Sequence, residues 1–203
     1  LADTARRFVR WEREGYWTPH GVVFDVGGTT KDAILRLENG VFPELAGLSG
    51  ERSNGNGSLM RILPASVYLA GSGEKNMLDC IRRISSITHA HLRSVLACVI
   101  YTLMVWELLD GGTPRSAYDN LTAKAPKACR GTALVRELPH FQRILTGELQ
   151  GLDESRINSD GYVVSTLEAS IWCLLQYDNF SDTVLAAVNL GSDSDTTGAV
   201  AGG

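Results

Sequence analysis

Closely spaced cysteine pairs are missing from this chain: its four cysteines stand apart at 80, 98, 129 and 173, with no CxxC. A cysteine-ligated metal and a disulfide framework are therefore disfavoured, and a reducing cytoplasm suits the thiols. Cys98 and Cys173, set in the apolar runs LACVIY and IWCLL, read as small buried hydrophobes. An excess of basic charge is missing too. With 19 Lys and Arg against 23 Asp and Glu, the net charge of -4 gives no electrostatic reason for a nucleic acid or an anionic membrane as partner. No secretory leader is read at residues 1–20, and no repeat, linker or low-complexity tract breaks the sequence. The longest uncharged apolar run, VLACVIYTLMVW at 95–106, is too short to span a bilayer and predicts a buried helix in a soluble protein.

What is present is helical spacing. Residues 1–14 predict an amphipathic helix capped by Asp3, with Phe8, Val9 and Trp11 inward. Thr30, Ala33, Ile34 and Leu37 fall at helical intervals before a stop at Gly40. The pattern continues through 60–71, 76–87 and 92–112, the last apolar nearly all round, with Val95, Leu96, Val99, Leu103 and Trp106 as core. Pro114 predicts a helix start, TALVRELPHFQRILTG a helix broken near Pro139, and 161–177 a second buried helix containing Trp172. A short helix follows from an N-cap at Ser181 to Gly191. Only GVVFDV, 21–26, reads as a strand. The expected architecture is all-α: one compact multi-helix domain over residues 1–203.

Two stretches carry chemistry. FDVGGTTKDAILRL, 24–37, resembles the phosphate-gripping hairpin of a sugar kinase, but that fold needs flanking strands and further glycine loops that the helical pattern does not supply. NLGSDSDTTGAVAGG, 189–203, places Asp193, Asp195 and Thr196 within four residues. Oxygen donors of this kind suit a hard cation such as Mg²⁺ or Mn²⁺. The same residues also suit a plain helix cap, and spacing alone leaves both readings open.

Five ordered stretches decide between them by resemblance. NLGSDSDTTGAVAGG, FDVGGTTKDAIL, SNGNGSLMRILP (53–64), SSITHAHLRSVLAC (85–98) and DGYVVSTLEASIWCLL (160–175) resemble the ADP-ribosylglycohydrolases, in particular bacterial enzymes related to dinitrogenase reductase-activating glycohydrolase. The resemblance implies an all-α fold holding two divalent ions, with Asp193, Asp195 and Thr196 among their ligands. It implies cleavage of ADP-ribose from a modified protein, most specifically from arginine, or from a small ADP-ribosyl compound. The family's other acidic cluster has no match in 1–203, so the chain reads as a fragment truncated at both ends, with about half of a binuclear site. No general base is assigned; the resemblance points upstream of Leu1. Lens crystallins also belong to this family, so a catalytically incomplete nucleotide-binding or structural protein is the alternative.

The remaining candidates line the implied pocket. Gly55 and Gly57 free backbone N–H groups for an anion, with Ser58 opening a helix behind them. Gly27, Gly28 and Thr29 form a second phosphate-facing loop, and Lys31 reads as solvated. Asn54 is expected to bond ribose. Arg61 is either a bidentate phosphate clamp or a surface arginine. His89 and His91 either cap the long helix or touch the ligand. Tyr162, beside Gly161, offers its ring to adenine or packs in the core. Glu168, inside an apolar stretch, needs a partner or solvent and receives no role.

Overall fold

The run at 95–106 lies inside a longer helix, α6 (Leu92–Leu109), around which the other helices of the computed structural model are arranged. The structure describes residues 1–203. At 18 residues and a mean hydropathy of 1.7, α6 has the length and composition to cross a membrane, yet 72% of it is buried inside this protein. Its cover comes from α4 (Leu63–Tyr68), α5 (Glu74–Ser85), α7 (Pro114–Ala128) and α9 (Val163–Gln176). A helix enclosed on all sides has no polar face to segregate, and this explains its near-uniform apolar sequence. One connected apolar core joins α4 to α9 and reaches Val200.

The remaining elements flank this centre. α1 (Ala2–Glu14) packs on α2 (Gly28–Glu38), followed by the short α3 (Pro43–Ala46). α8 (Gln142–Leu145) sits beside α7, and α10 (Phe180–Asn189) pairs with α11 (Ser194–Ala201) against α9. There is no strand. Two isolated bridges, Leu48 with His89 and Gly55 with Tyr162, are the only β-type pairings.

Several local expectations need correction. Segment 21–26 forms no strand: Asp25 takes a left-handed backbone, φ 49°, and Val22 is 64% and Phe24 78% exposed, so apolar alternation there found no neighbouring strand. DAILRL lies in α2, which removes the flanking strands that a sugar kinase requires. Asp3 does not cap α1. It sits in the first turn and pairs with Arg6 and Arg7, while Phe8, Val9 and Trp11 are only half-buried. The helix expected at 60–71 begins at Leu63, because Pro64 in its first turn lacks the N–H an interior position would need. Ahead of it, Asn56–Arg61 winds as a 3₁₀ turn. The segment with Pro139 is also 3₁₀, from Ala133 to Phe141. α10 is capped by Asn179, whose side chain accepts from the Asp182 N–H at 3.0 Å, rather than by Ser181.

Candidate functional site

The acidic turn is built before any ligand is considered. Ser192 takes a left-handed backbone, φ 53°, which swings the chain into α11. Ser159 fastens the turn: its hydroxyl donates to the Gly191 carbonyl at 3.0 Å, and its own carbonyl accepts the Asp193 N–H at 3.1 Å. Asp193 stands at the N-cap of α11, but its carboxylate makes no capping bond. Instead Oδ2 accepts from Asn56 Nδ2 at 2.6 Å. The plain-cap reading therefore fails for the Asp193 side chain. Asp195, two residues on in the first turn, is exposed, and Thr196 beside it is buried.

Asn56 couples this turn to the glycine loop. Its amide also donates to Thr166 Oγ1 at 2.8 Å, and its backbone N–H to the Gly161 carbonyl at 3.1 Å. Val163 N–H returns a bond to the Asn54 carbonyl at 3.0 Å, closing the Gly55–Tyr162 bridge. Close approach requires glycine at Gly57, whereas Gly161 meets only an ordinary contact. A Cβ at Gly57 would lie 2.9 Å from His89 Cε1 and 3.2 Å from Thr30 Oγ1; one at Gly161 would lie 3.4 Å from Asp193 Oδ2. Thr30 brings the start of α2 to this cradle. Gly27 and Gly28 are exposed there, Thr29 is half-buried, and Lys31 is exposed. The acidic turn, the glycine loop and the start of α9 are thus one joined unit.

Other candidates are already occupied within the protein. Asn54 is buried, donating to the Glu51 carbonyl at 3.0 Å and accepting from Ser94 Oγ at 3.3 Å, so its amide is not presented to a ribose. Ser58 opens no helix; it lies within the 3₁₀ turn, fully buried beside Cys98 Sγ at 3.6 Å. Arg61 is neither a free clamp nor a surface residue. It donates to the Gly57 carbonyl and to Thr88 Oγ1 at 2.7 Å, and sits 5.0 Å over the Phe8 ring. Burial pushes the Arg61 pKa down to about 10. His91 caps α6, its Nδ1 accepting from the Arg93 N–H at 3.1 Å and its Nε2 lying 3.3 Å from Glu51. His89 is 2% exposed, and burial, with Arg61 nearby, holds its pKa down at about 3. Tyr162 is half-buried at the N-cap of α9, its backbone N–H donating to Asp160 Oδ1 at 3.0 Å. Glu168 does have a partner, Arg143, at 3.1 Å.

The donors of the acidic turn fit a hard cation only in part. Asp193, Asp195 and Thr196 are oxygen donors within four residues, but such a cation takes six or more oxygens. No group of three His, Cys, Asp or Glu side chains anywhere in the chain is placed to hold a metal. Two clefts of about 290 Å³ lie elsewhere, one beside Trp106 and one beside Phe24 and Lys31. Sequence reasoning missed Asn56, Ser159 and Thr166. The repeat NGNG offers two equivalent asparagines, and only the fold shows that the second faces Asp193.

Comparison with known proteins adds independent findings. A family model described as ADP-ribosylglycohydrolase matches residues 1–203. The chain is 31% identical to an ADP-ribosylarginine hydrolase, Tri1, of Serratia proteamaculans (strain 568), covering 97% of this chain and 51% of that protein. It is 29% identical to ADP-ribosyl-[dinitrogen reductase] glycohydrolase of Rhodospirillum rubrum, covering 100% of this chain and 59% of that one. The chain thus spans about half the length of the curated relatives it matches. A solved structure described as an ADP-ribosylglycohydrolase-related protein complex superposes with a TM-score of 0.73 at 30% identity, covering 99% of this chain and 61% of that one.

Proposed function

The chain belongs to the ADP-ribosylglycohydrolase family, and on that premise we propose that it serves to hydrolyse the N-glycosidic bond between ADP-ribose and a protein arginine. Relatives carrying the names ADP-ribosylarginine hydrolase and ADP-ribosyl-[dinitrogen reductase] glycohydrolase support that acceptor. A small ADP-ribosyl compound is the other substrate of the same chemistry, and the cytoplasm is the compartment we assign. One observation carries the reading: Asp193 occupies a cap position without capping, its carboxylate turned to Asn56 of the glycine loop.

In this reading Asp193, Asp195 and Thr196 supply oxygen ligands to Mg²⁺, or to Mn²⁺. When bound, such ions orient sugar hydroxyls and stabilise charge developing at the bond being cleaved. The chain's own contribution is pre-organisation. Asn56 fixes one carboxylate oxygen, leaving the other free for a cation, and Ser159 holds the turn that carries it. Tyr162, whose backbone pairs with Gly55 and whose side chain packs partly on the apolar core, lends the remaining face of its ring to the adenine in this reading. Release of ADP-ribose from ADP-ribosylated arginine should be abolished by Asp193→Ala and by Asp195→Ala with the helical circular dichroism unchanged. Full turnover in both variants defeats the assignment. Tyr162→Ala should weaken ADP-ribose binding more than it slows turnover.

A second reading rests on the ligand set: residues 1–203 supply only part of a cation shell. Nucleotide binding without turnover is the function of such a site. Magnesium titration by calorimetry separates the two. Heat that vanishes in Asp193→Ala supports the metal-dependent reading, and no heat in the unaltered protein supports the non-catalytic one.

A further inference from the structure

The side chain that holds Asp193 is itself held from another helix. Asn56 Nδ2 lies 2.6 Å from Asp193 Oδ2 and 2.8 Å from Thr166 Oγ1. An ionised carboxylate only accepts, so the atom facing Asp193 is the amide nitrogen, which gives it one of two hydrogens. The Thr166 hydroxyl gives its own proton to the backbone, where the Asp160 carbonyl lies at 3.1 Å and the Tyr162 carbonyl at 3.3 Å. Thr166 Oγ1 therefore accepts the second amide hydrogen. Turned over, the amide would set its oxygen against Asp193 Oδ2, acceptor against acceptor. Asn56 thus has one satisfied orientation, and both its hydrogens are used in it.

Thr166 stands on α9, and Asp193 at the start of α11. Both Thr166 and Asn56 are buried, so water is not at hand to replace either bond. Ser170, one turn further along α9, is buried too and also links the two helices. Its hydroxyl lies 2.8 Å from the Thr166 carbonyl and 3.3 Å from the Thr197 carbonyl, and it bonds neither Asn56 nor the Asp193 carboxylate. Two buried hydroxyls of α9 therefore serve different ends. Ser170 fastens backbone to backbone, whereas Thr166 fastens the α9 backbone, through an amide, to a carboxylate.

We propose that Thr166 is a positioning residue: by taking the second Asn56 hydrogen, it fixes the direction in which Asp193 presents its remaining carboxylate oxygen to a cation. Thr166 acts through Asn56 and is not itself a ligand. A carboxylate whose partner can pivot must be ordered when the cation arrives. One whose partner is pinned loses that freedom on folding instead, and the cation then binds more tightly. The cation rests on the function proposed above, whereas the locked amide does not.

NMR of the Asn56 side-chain amide in the unaltered protein tests the lock without a cation. Both amide hydrogens should be protected from solvent exchange; rapid exchange of either overturns the proposal. Magnesium titration by calorimetry tests the consequence. Thr166→Val keeps the volume and should bind magnesium about tenfold more weakly, the scale of loss when a metal ligand's supporting partner is removed, and Thr166→Ser should restore it. Ser170→Ala removes a hydroxyl of the same helix and should lower stability while leaving magnesium affinity unchanged. Equal affinity in Thr166→Val and the unaltered protein, or an equal loss in Ser170→Ala, makes Thr166 a structural contact and overturns this inference alone. No magnesium uptake by the unaltered protein overturns the metal-dependent function, and the role of Thr166 falls with it.

Discussion

α6 and the loop before α4 are both buried, for opposite reasons. α6 buries Val95, Leu96, Val99 and Ile100, whose contribution is volume and apolar area. The loop buries Asn54, Asn56 and Ser58, polar side chains whose burial is favourable only because each meets a named partner. Volume can be exchanged for similar volume; a hydrogen-bond partner cannot. The two regions therefore differ in what a substitution removes. A core change lowers stability and leaves the site's chemistry alone, whereas a loop change detaches one part of the site from another.

The largest effect is expected from the apolar side. Ile100 is fully buried, and Ile100→Ala should cost about 3–4 kcal/mol in urea unfolding. Ile100→Val should cost only about 1 kcal/mol. Ligand affinity per folded molecule should not change in either. A large loss of affinity in the folded Val variant would erase the distinction between the two regions.

The polar side should respond to pH where the apolar side does not. Folded His89 refuses a proton down to about 3, against an ordinary value of 6.5, so between these values the unfolded chain binds more protons. Stability should therefore be fully present above pH 6.5 and decline as pH falls toward 3, with on the order of 3 kcal/mol from this residue lost by about pH 4. His89→Gln should flatten that limb of the stability curve, measured by unfolding between pH 4 and 7. A smaller effect, about 2 kcal/mol, is expected for Asn56→Ala, which removes the donor to Thr166 Oγ1 and leaves the Asp193 Oδ2 oxygen without its partner. The same variant should weaken magnesium binding by calorimetry more than any substitution within α6.

This contrast also decides what could be read from the sequence. α6 and α9 were legible because a long apolar run admits one outcome, a helix enclosed by others. Segment 21–26 was misread because alternation fits a strand only if another strand is there to pair with it. A cation-binding role for the acidic turn could not be told from a cap by spacing, since both uses start from the same N-cap position; the family resemblance is what implies the cation. The polar unit was the least legible part. Asn54 and Asn56 look alike in SNGNGS, and which of them meets Asp193 depends on a register set by the Gly55–Tyr162 bridge, whose partners stand 107 residues apart. Arg61 was misassigned for the same reason: its partners, Thr88 and Phe8, lie in other elements.

Glu168 tests the comparison where the two regions meet, since it is a carboxylate inside the apolar run of α9. Burial raises its pKa, and Arg143 at 3.1 Å opposes that shift. Breaking a buried ion pair costs about 3–5 kcal/mol, but the Arg143 side chain is 43% exposed, and solvent screening reduces the expected loss for Arg143→Ala to about 1 kcal/mol. The direction with pH follows from the raised carboxyl: the folded state holds a proton to higher pH than the unfolded chain, so charging Glu168 is what the arginine compensates. The loss in Arg143→Ala should therefore be larger at pH 7 than at pH 4. Arg143 also donates to the Arg156 carbonyl at 2.9 Å, and that contribution does not depend on pH. Adding Glu168→Gln to Arg143→Ala removes the charge and keeps the shape, so the double variant should recover the pH-dependent part alone. If it recovers nothing, Glu168 is tolerated in the core for a reason other than its arginine, and the rule that buried polar groups here stand on named partners does not extend into α9.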